Sequence, residues 1–539
     1  MSDSENAKKL FFEALALMDS SNFQAAESRL REALKLAPGQ VSVLTNLSIA
    51  LAQQNKRGEA RDFAEQAIAI NPENIESLLV LADCHMHDDR FLEAISVYEE
   101  VLALEPGLAE IHNNRGLALE RLARHAEALD SYERALAINP EFGNAHASHG
   151  NALHHLGRHD DALAAYERTL TLTPEVAEAW LGRGNALGTL KRFNEALTAY
   201  ERALTLRPDF PEAWLGRGNA LCDLKRHDDA LAAFDRALAL DPKLATAWLG
   251  RGNVFYDRKR FVDALAAYHQ AVALDPGMAG AWVGRGDALR ILKRAPEAIA
   301  AYRQALALGA DADTIRFYLA GLGEEPSPAT SPARFVTNLF DMYADNFEHD
   351  LVENLKYHSP DVLADTIKQY APSNTLDTLD LGCGTGLMGN LLRPISRTLT
   401  GVDLSTNMLE KARQRQIYDQ LVCCDLIQFL QTQDQLFDLA VATDVFIYVG
   451  DLSPVFPAVR GSLREGGLFC FSVEATDEAD FVLRSTLRYA HSIGYLEKLA
   501  EQHRFAVEII EPQVIRRGDE ADIDGYHVVM RAIVPPDLV

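Results

Sequence analysis

The stretch Leu379-Asp380-Leu381-Gly382-Cys383-Gly384-Thr385-Gly386 sets one acid in an apolar run and then three glycines at alternate positions. It reads as a buried strand that stops and turns sharply into a helix starting near Thr385. Glycine suits such a turn because it tolerates positive φ and lets a ligand approach bare backbone. The helix that follows presents unpaired N–H groups at its start. Val402-Asp403 ends the next apolar run, 23 residues after Asp380. A carboxylate at that strand end can accept both hydroxyls of a ribose. The glycine spacing is GxGxG, and Leu387 stands where the dinucleotide fingerprint has its third glycine. The chemistry indicated is recognition of a nucleoside-bearing ligand other than a dinucleotide.

These residues need a sheet to hold them. From Leu376 onward, short apolar runs alternate with helical stretches. Strands are predicted at Leu376–Leu381, Thr398–Asp403, Gln420–Cys424, Phe437–Thr443, Leu468–Val473, Ala506–Glu511 and Tyr526–Ile533. Helices are predicted at Leu387–Leu392, Asn407–Gln416 and Leu452–Leu463. Such alternation predicts an α/β, doubly wound parallel sheet, with ligands beyond the carboxyl ends of its strands.

Together these motifs resemble a class I, Rossmann-like S-adenosylmethionine-dependent methyltransferase from Arg334 to the C-terminus. Leu379–Gly386 is similar to that family's first motif, which implies cofactor contacts from Asp380, Gly382, Cys383, Gly384 and Gly386. Gly401–Leu409 is similar to the second, implying Asp403 at the ribose, Leu404 among the cofactor contacts and Met408 against the adenine. Cys424-Asp425-Leu426 is similar to the third, implying Asp425 near the adenine amino group with Leu426 beside it. Phe437-Asp438-Leu439 through Thr443-Asp444 is similar to the strand whose end faces the transferred methyl. The segment Phe340–Phe347 resembles a helical lid, which implies that Tyr343 touches the cofactor.

Tyr343, Asp444, Tyr448, Tyr489 and His491 are the candidates for an acceptor pocket. A surface helix position is the other reading of His491, and Arg516-Arg517 reads as a solvated pair. After the fourth strand the chain has neither a Pro-Pro-aromatic motif nor a Pro-Cys nucleophile. That argues against a nucleic-acid base as acceptor, and no general base is assigned.

The residues before Arg334 are one unit repeated. Pro38, Pro72, Pro106, Pro140, Pro174, Pro208, Pro242 and Pro276 are spaced by 34 residues. Small residues follow each proline after ten positions (Gly150, Gly184 and Gly218 among them) and alanines after 22. Each unit holds two helices, and proline ends the second because it cannot continue it. No pair can bury its apolar face alone, so the pairs must stack. Trp180, Trp214, Trp248 and Trp282, six residues after a proline, are expected to fill the space between neighbouring pairs.

The pattern resembles the tetratricopeptide repeat: nine units over about residues 7–312, then a capping helix at Ala312–Gly321. The expected architecture is multidomain: an all-α solenoid at 1–323, a Pro/Ser-rich linker at 324–333 and the methyltransferase domain at 334–539. The combination also resembles predicted bacterial fusion enzymes. The resemblance implies a groove in which Asn151, Asn185, Asn219 and Asn253 contact a protein or peptide; the other reading makes them the ordinary framework choice. His146, His149, His154, His155 and His159 read as solvated residues rather than metal ligands, and no metal site is expected.

The formal net charge is −26. Neither part is basic, which argues against a nucleic-acid partner or an anionic membrane surface. Six cysteines without metal-ligand spacing, no signal-peptide layout and no long apolar run predict a cytoplasmic protein with free thiols. The expected function is methyl transfer to a small molecule or protein, with the repeats binding a partner or substrate. The alternative is an interaction scaffold whose methyltransferase-like domain is non-catalytic or only senses cofactor.

Overall fold

The computed structural model describes residues 3–343, 359–371, 375–517 and 522–533, without the side chains of residues 342, 343, 516 and 517. The expected lid residues 344–347 and the side chains of Tyr343, Arg516 and Arg517 therefore lie outside the described residues. The chain forms two compact units, Met1–Val254 and Phe255–Val539.

The first unit is built of paired helices such as Ala177–Thr189 with Phe193–Leu206 and Pro211–Asp223 with His227–Leu240. In three successive pairs an aromatic ring of the second helix (Tyr166, Tyr200 or Phe234) is held between two glycines. A Cβ added to Gly184 would lie 2.6 Å from the Tyr200 ring, and one on Gly216 would lie 2.5 Å from it. Phe234 meets Gly218 and Gly250 in the same way, at 2.5 Å each. These rings fill the space between successive pairs, and Trp180 and Trp214 pack beside them with Ala203, Leu204, Phe210 and Ala213, as expected. The tryptophans also secure the start of their own first helices: the indole N–H groups of Trp180 and Trp214 donate to the carbonyls of Pro174 and Pro208, both at 2.9 Å. His112 and His146 place Nε2 on Pro106 and Pro140 in the same way, at 3.0 and 2.9 Å. Four further histidines associate with each other: Nδ1 of His154 lies 3.1 Å from Nδ1 of His159, and His125 stacks on His155, while His149 lies 3.9 Å from Glu133.

The second unit contains further helical pairs, the expected capping helix Ala312–Gly321, and an α/β part. Asp311 caps that helix by accepting from Thr314 N–H. Among the described residues the sheet has nine strands: β1 (Leu376–Leu381), β2 (Ser396–Asp403), β3 (Gln420–Cys423), β4 (Phe437–Ala442), β5 (Leu463–Ala475), β6 (Phe481–Leu483), β7 (Tyr489–His491), β8 (Phe505–Arg517) and β9 (Asp522–Ala532). Their order is β3-β2-β1-β4-β5-β7-β6, with β9 antiparallel to β5 and to β8. The parallel strands β3, β2, β1, β4 and β5 make the doubly wound half, and β1 is buried along its length. Its far end is fixed by Asp377, which takes bonds from Arg397 and Arg464, so that its carboxyl is held low, at about 2, chiefly by Arg397. The hairpin β6–β7 is absent from the sequence expectation, because three-residue strands carry too few alternations to register.

Candidate active site

β1 delivers the chain into the glycine turn. Gly382, Gly384 and Gly386 all take positive φ, at 66°, 52° and 89°. The N–H groups of Gly382 and Cys383 both donate to the Val402 carbonyl, at 2.8 and 3.0 Å, tying the turn to the end of β2. A Cβ on Gly382 would lie 2.4 Å from Val445 Cγ2, so both conformation and space demand glycine. The following helix runs Leu387–Leu392, as expected, with Gly386 as its N-cap.

Asp403 closes the turn from β2. Its Oδ2 accepts from Gly384 N–H at 2.9 Å and its Oδ1 from Ser405 N–H at 2.8 Å. Each oxygen keeps acceptor capacity for a ligand. Burial pushes this carboxyl upward, opposed by the N–H groups of Ser405, Gly384 and Leu404. Asp380 is 1% exposed and takes the Tyr418 hydroxyl at 2.6 Å. Burial raises it to about 7, the Asp403 charge adds to the rise, and the Tyr418 bond opposes it.

Side-chain caps fix the neighbouring helices. Ser405 Oγ accepts from Met408 N–H at 3.1 Å and donates to Asp341 Oδ1 at 2.5 Å. That second bond ties helix Ala333–Tyr343 to the end of β2. Asp425 Oδ1 accepts from the N–H groups of Ile427 and Gln428, at 2.9 and 3.0 Å, which starts helix Leu426–Thr432.

A cavity of about 290 Å³ lies at the carboxyl ends of β1, β2 and β4. Asp380, Gly382, Cys383, Gly384, Asp403, Leu404, Asp425, Leu426 and Thr443 all line it, together with Asp444 and Tyr448. Asp444 sits there with a left-handed backbone, φ 57°, its N–H donating to Ser472 Oγ. Gly386 and Met408 do not line the cavity; Met408 is wholly buried in the helix that Ser405 caps.

Tyr489 and His491 are likewise not brought to the cavity. Both are fully buried. The Tyr489 hydroxyl donates to the Pro328 carbonyl at 2.7 Å. His491 directs Nε2 at the carbonyls of Val449 and Gly450, at 3.0 and 2.9 Å. Burial depresses its pKa to about 4, so it is a neutral donor to backbone. The surface-helix reading of His491 is corrected at the same time, because the residue ends β7.

The sequence reading missed Thr330, Ser331 and Arg488 as cavity-lining residues. Residues 329–331 are docked rather than loose. Ser331 N–H donates to the Tyr448 carbonyl at 2.9 Å, and the N–H groups of Gly450 and Asp451 donate to the Ala329 carbonyl. Proline and serine content reports local stiffness and carries no signal of such distant pairing.

In the repeats, the Asn151 and Asn185 side-chain oxygens are occupied by the hydroxyls of Tyr166 and Tyr200, at 2.7 and 2.9 Å. Asn219 has Phe234 at the corresponding place, which brings no hydroxyl. Asn151, Asn185, Asn219 and Asn253 are all exposed.

Known proteins share both parts of this architecture. The family description "Methyltransferase domain" matches residues 379–471, and "Tetratricopeptide repeat" matches segments between residues 13 and 313. The human methyltransferase-like protein 27 is 31% identical over 174 residues, 30% of this chain and 68% of that protein. The malonyl-(acyl-carrier protein) O-methyltransferase of Salmonella typhimurium is 31% identical over 121 residues, 22% of this chain and 46% of that protein. The ubiquinone biosynthesis O-methyltransferase of Idiomarina loihiensis is 27% identical over 157 residues, 28% and 62% respectively. The chain thus spans between about half and two thirds of the length of these relatives. It belongs to the methyltransferase family, as a tetratricopeptide-repeat protein carrying a Rossmann-like methyltransferase domain.

Proposed function

We propose that this chain is an S-adenosylmethionine-dependent methyltransferase whose repeats bind a protein or peptide partner. The observation that carries the reading is the Asp403 carboxylate, bonded to Gly384 N–H and Ser405 N–H beside three left-handed glycines. The donor set fits the cofactor. Asp403 offers two oxygens to a ribose, Leu404 and Leu426 offer apolar faces to an adenine, and the glycine turn leaves room for the methionine part. The buried hydroxyls of Thr385 and Thr443 have no hydrogen-bond partner among the described residues, which suits a polar ligand. When bound, the cofactor supplies an activated methyl on a sulfonium. The chain's own work is to orient the two reactants and exclude water.

We assign residues 1–323 to the repeats, 324–333 to the connection and 334–539 to the methyltransferase domain, and place the protein in the cytoplasm. No helix among the described residues is long and apolar enough to cross a membrane. The acceptor is a small molecule or a protein, consistent with relatives whose names describe O-methylation. Mixing the full chain with S-adenosylmethionine and a cell extract is expected to release S-adenosylhomocysteine. Release no faster than with the Asp403→Ala variant would contradict the reading.

A further inference from the structure

The cavity has one cationic group in its wall, Arg488, among the described residues. Other arginines of the α/β part are matched to acids: Arg464 to Asp438 at 3.0 Å, Arg484 to Glu474 at 3.1 Å, Arg393 to Asp419 at 2.8 Å. Half-buried Arg488 has no acidic partner among the described residues. A guanidinium withdrawn from water without a counter-charge is unfavourable unless a ligand brings one.

Its position is fixed by the surrounding fold. Arg488 follows Leu487, which is left-handed at φ 64° and buried. Leu487 N–H donates to the Arg484 carbonyl at 2.8 Å and Arg484 N–H to the Arg488 carbonyl at 2.9 Å. The same turn is braced by the last repeat, where Arg290 Nη1 donates to the Ser485 carbonyl at 3.3 Å. A Cβ on Gly321 would lie 2.7 Å from Leu487 Cδ2. The neighbouring wall is held to this hairpin through Tyr489 on Pro328 and His491 on Val449. That wall contains Ser331, 4% exposed, whose hydroxyl has no hydrogen-bond partner among the described residues. The acids of the cavity are Asp380 in β1, Asp403 and Asp425 at the ends of β2 and β3, and Asp444 after β4.

We propose that the methyl acceptor is a carboxylate and that Arg488 holds it, with Ser331 as a second donor. The proposal rests on the cofactor reading above. The guanidinium offers a planar pair of N–H groups matched to a carboxylate. A carboxylate is already ionised at neutral pH, so it needs no base to remove a proton. This agrees with a cavity from which His491 is turned away. In the transfer, a carboxylate oxygen lone pair forms the O–C bond as the methyl C–S bond breaks. The C–S pair stays on sulfur, the negative and positive charges cancel, and the products are a methyl ester and a neutral thioether with no proton moved.

The test uses the full chain with S-adenosylmethionine radiolabelled in the methyl and the small-molecule fraction of a bacterial extract. Carboxyl methyl esters release volatile labelled methanol in alkali, whereas N-, S- and C-methyl products and ethers keep the label. The expected result is alkali-labile label. Arg488→Gln should lower its rate of formation by about tenfold or more, with Arg488→Lys intermediate, because the anchoring charge-assisted pair is lost or made monodentate. Calorimetry should show cofactor affinity unchanged in both variants, which also reports that they fold. Alkali-stable label, or an Arg488→Gln variant as fast as the parent, overturns the carboxylate proposal alone. Failure of the parent chain to bind cofactor overturns the reading beneath it as well.

Discussion

Asp380 and Asp403 lie on adjacent strands but do different work. Asp403 is satisfied by backbone N–H groups on both oxygens, whereas Asp380 is closed in with Tyr418. The Asp380 carboxyl titrates near 7 in the folded chain against an ordinary 3.8. Between about pH 4 and 7 the folded state therefore keeps a proton that the unfolded state has released, and this group's contribution to stability falls as pH rises. Asp380→Asn removes the titration. Its urea-unfolding stability should lose a slope of up to about 1.4 kcal/mol per pH unit across that window. A slope equal to that of the parent would refute this account. Asp403 and the glycines were legible because strand, turn and strand lie within a short stretch whose spacing the chain itself records. Arg488 and Ser331 were not: Arg488 leads into a strand of only three residues, too short to register, and Ser331 is brought to the cavity by backbone pairing with Tyr448, over a hundred positions away. Tyr489 and His491 were misplaced for the same reason: residue type suggested chemistry, while the fold uses both to tie that wall together.

At the scale of elements, the 34-residue period located the helices well, since proline and apolar spacing are local signals. It did not reveal that rings of the second helices also lie between the pairs. The Tyr200 ring fits there only because Gly184 and Gly216 lack side chains. Gly184→Ala is expected to force that ring aside and destabilise the repeats by about 1–3 kcal/mol, as overpacking does. The gain in helix propensity of alanine over glycine, about 1 kcal/mol, offsets part of this. Thermal unfolding followed by circular dichroism would check it, and a raised midpoint would show that the ring moves freely. In the α/β part, the parallel strands were readable as apolar runs. The true extents of β5 and β8 were not, because β9 sets them by antiparallel pairing.

At the scale of the molecule, the second compact unit joins the last helical pairs to the α/β part in one core. Phe317 and Ala320 of the capping helix pack with Leu483, Leu487 and Tyr489 of the β6–β7 hairpin. Phe317→Ala should lower stability by about 3–5 kcal/mol. The loss should appear in the transition that bound cofactor protects, since ligand binding raises the midpoint of the unit that holds it. A loss confined to a transition insensitive to cofactor would contradict a shared core. Sequence alone placed a boundary at 324–333 because composition changes there, yet those residues contribute backbone bonds and three cavity positions, Thr330, Ser331 and Ala333.

The central claim, a nucleoside sulfonium held by the glycine turn and Asp403, is tested most directly by calorimetric titration of the full chain with S-adenosylmethionine. The account predicts one site per chain and a loss of affinity of about a hundredfold or more in Asp403→Ala, which removes charge-assisted bonds to two hydroxyls. No heat of binding from the parent chain, or equal affinity in the variant, would contradict it.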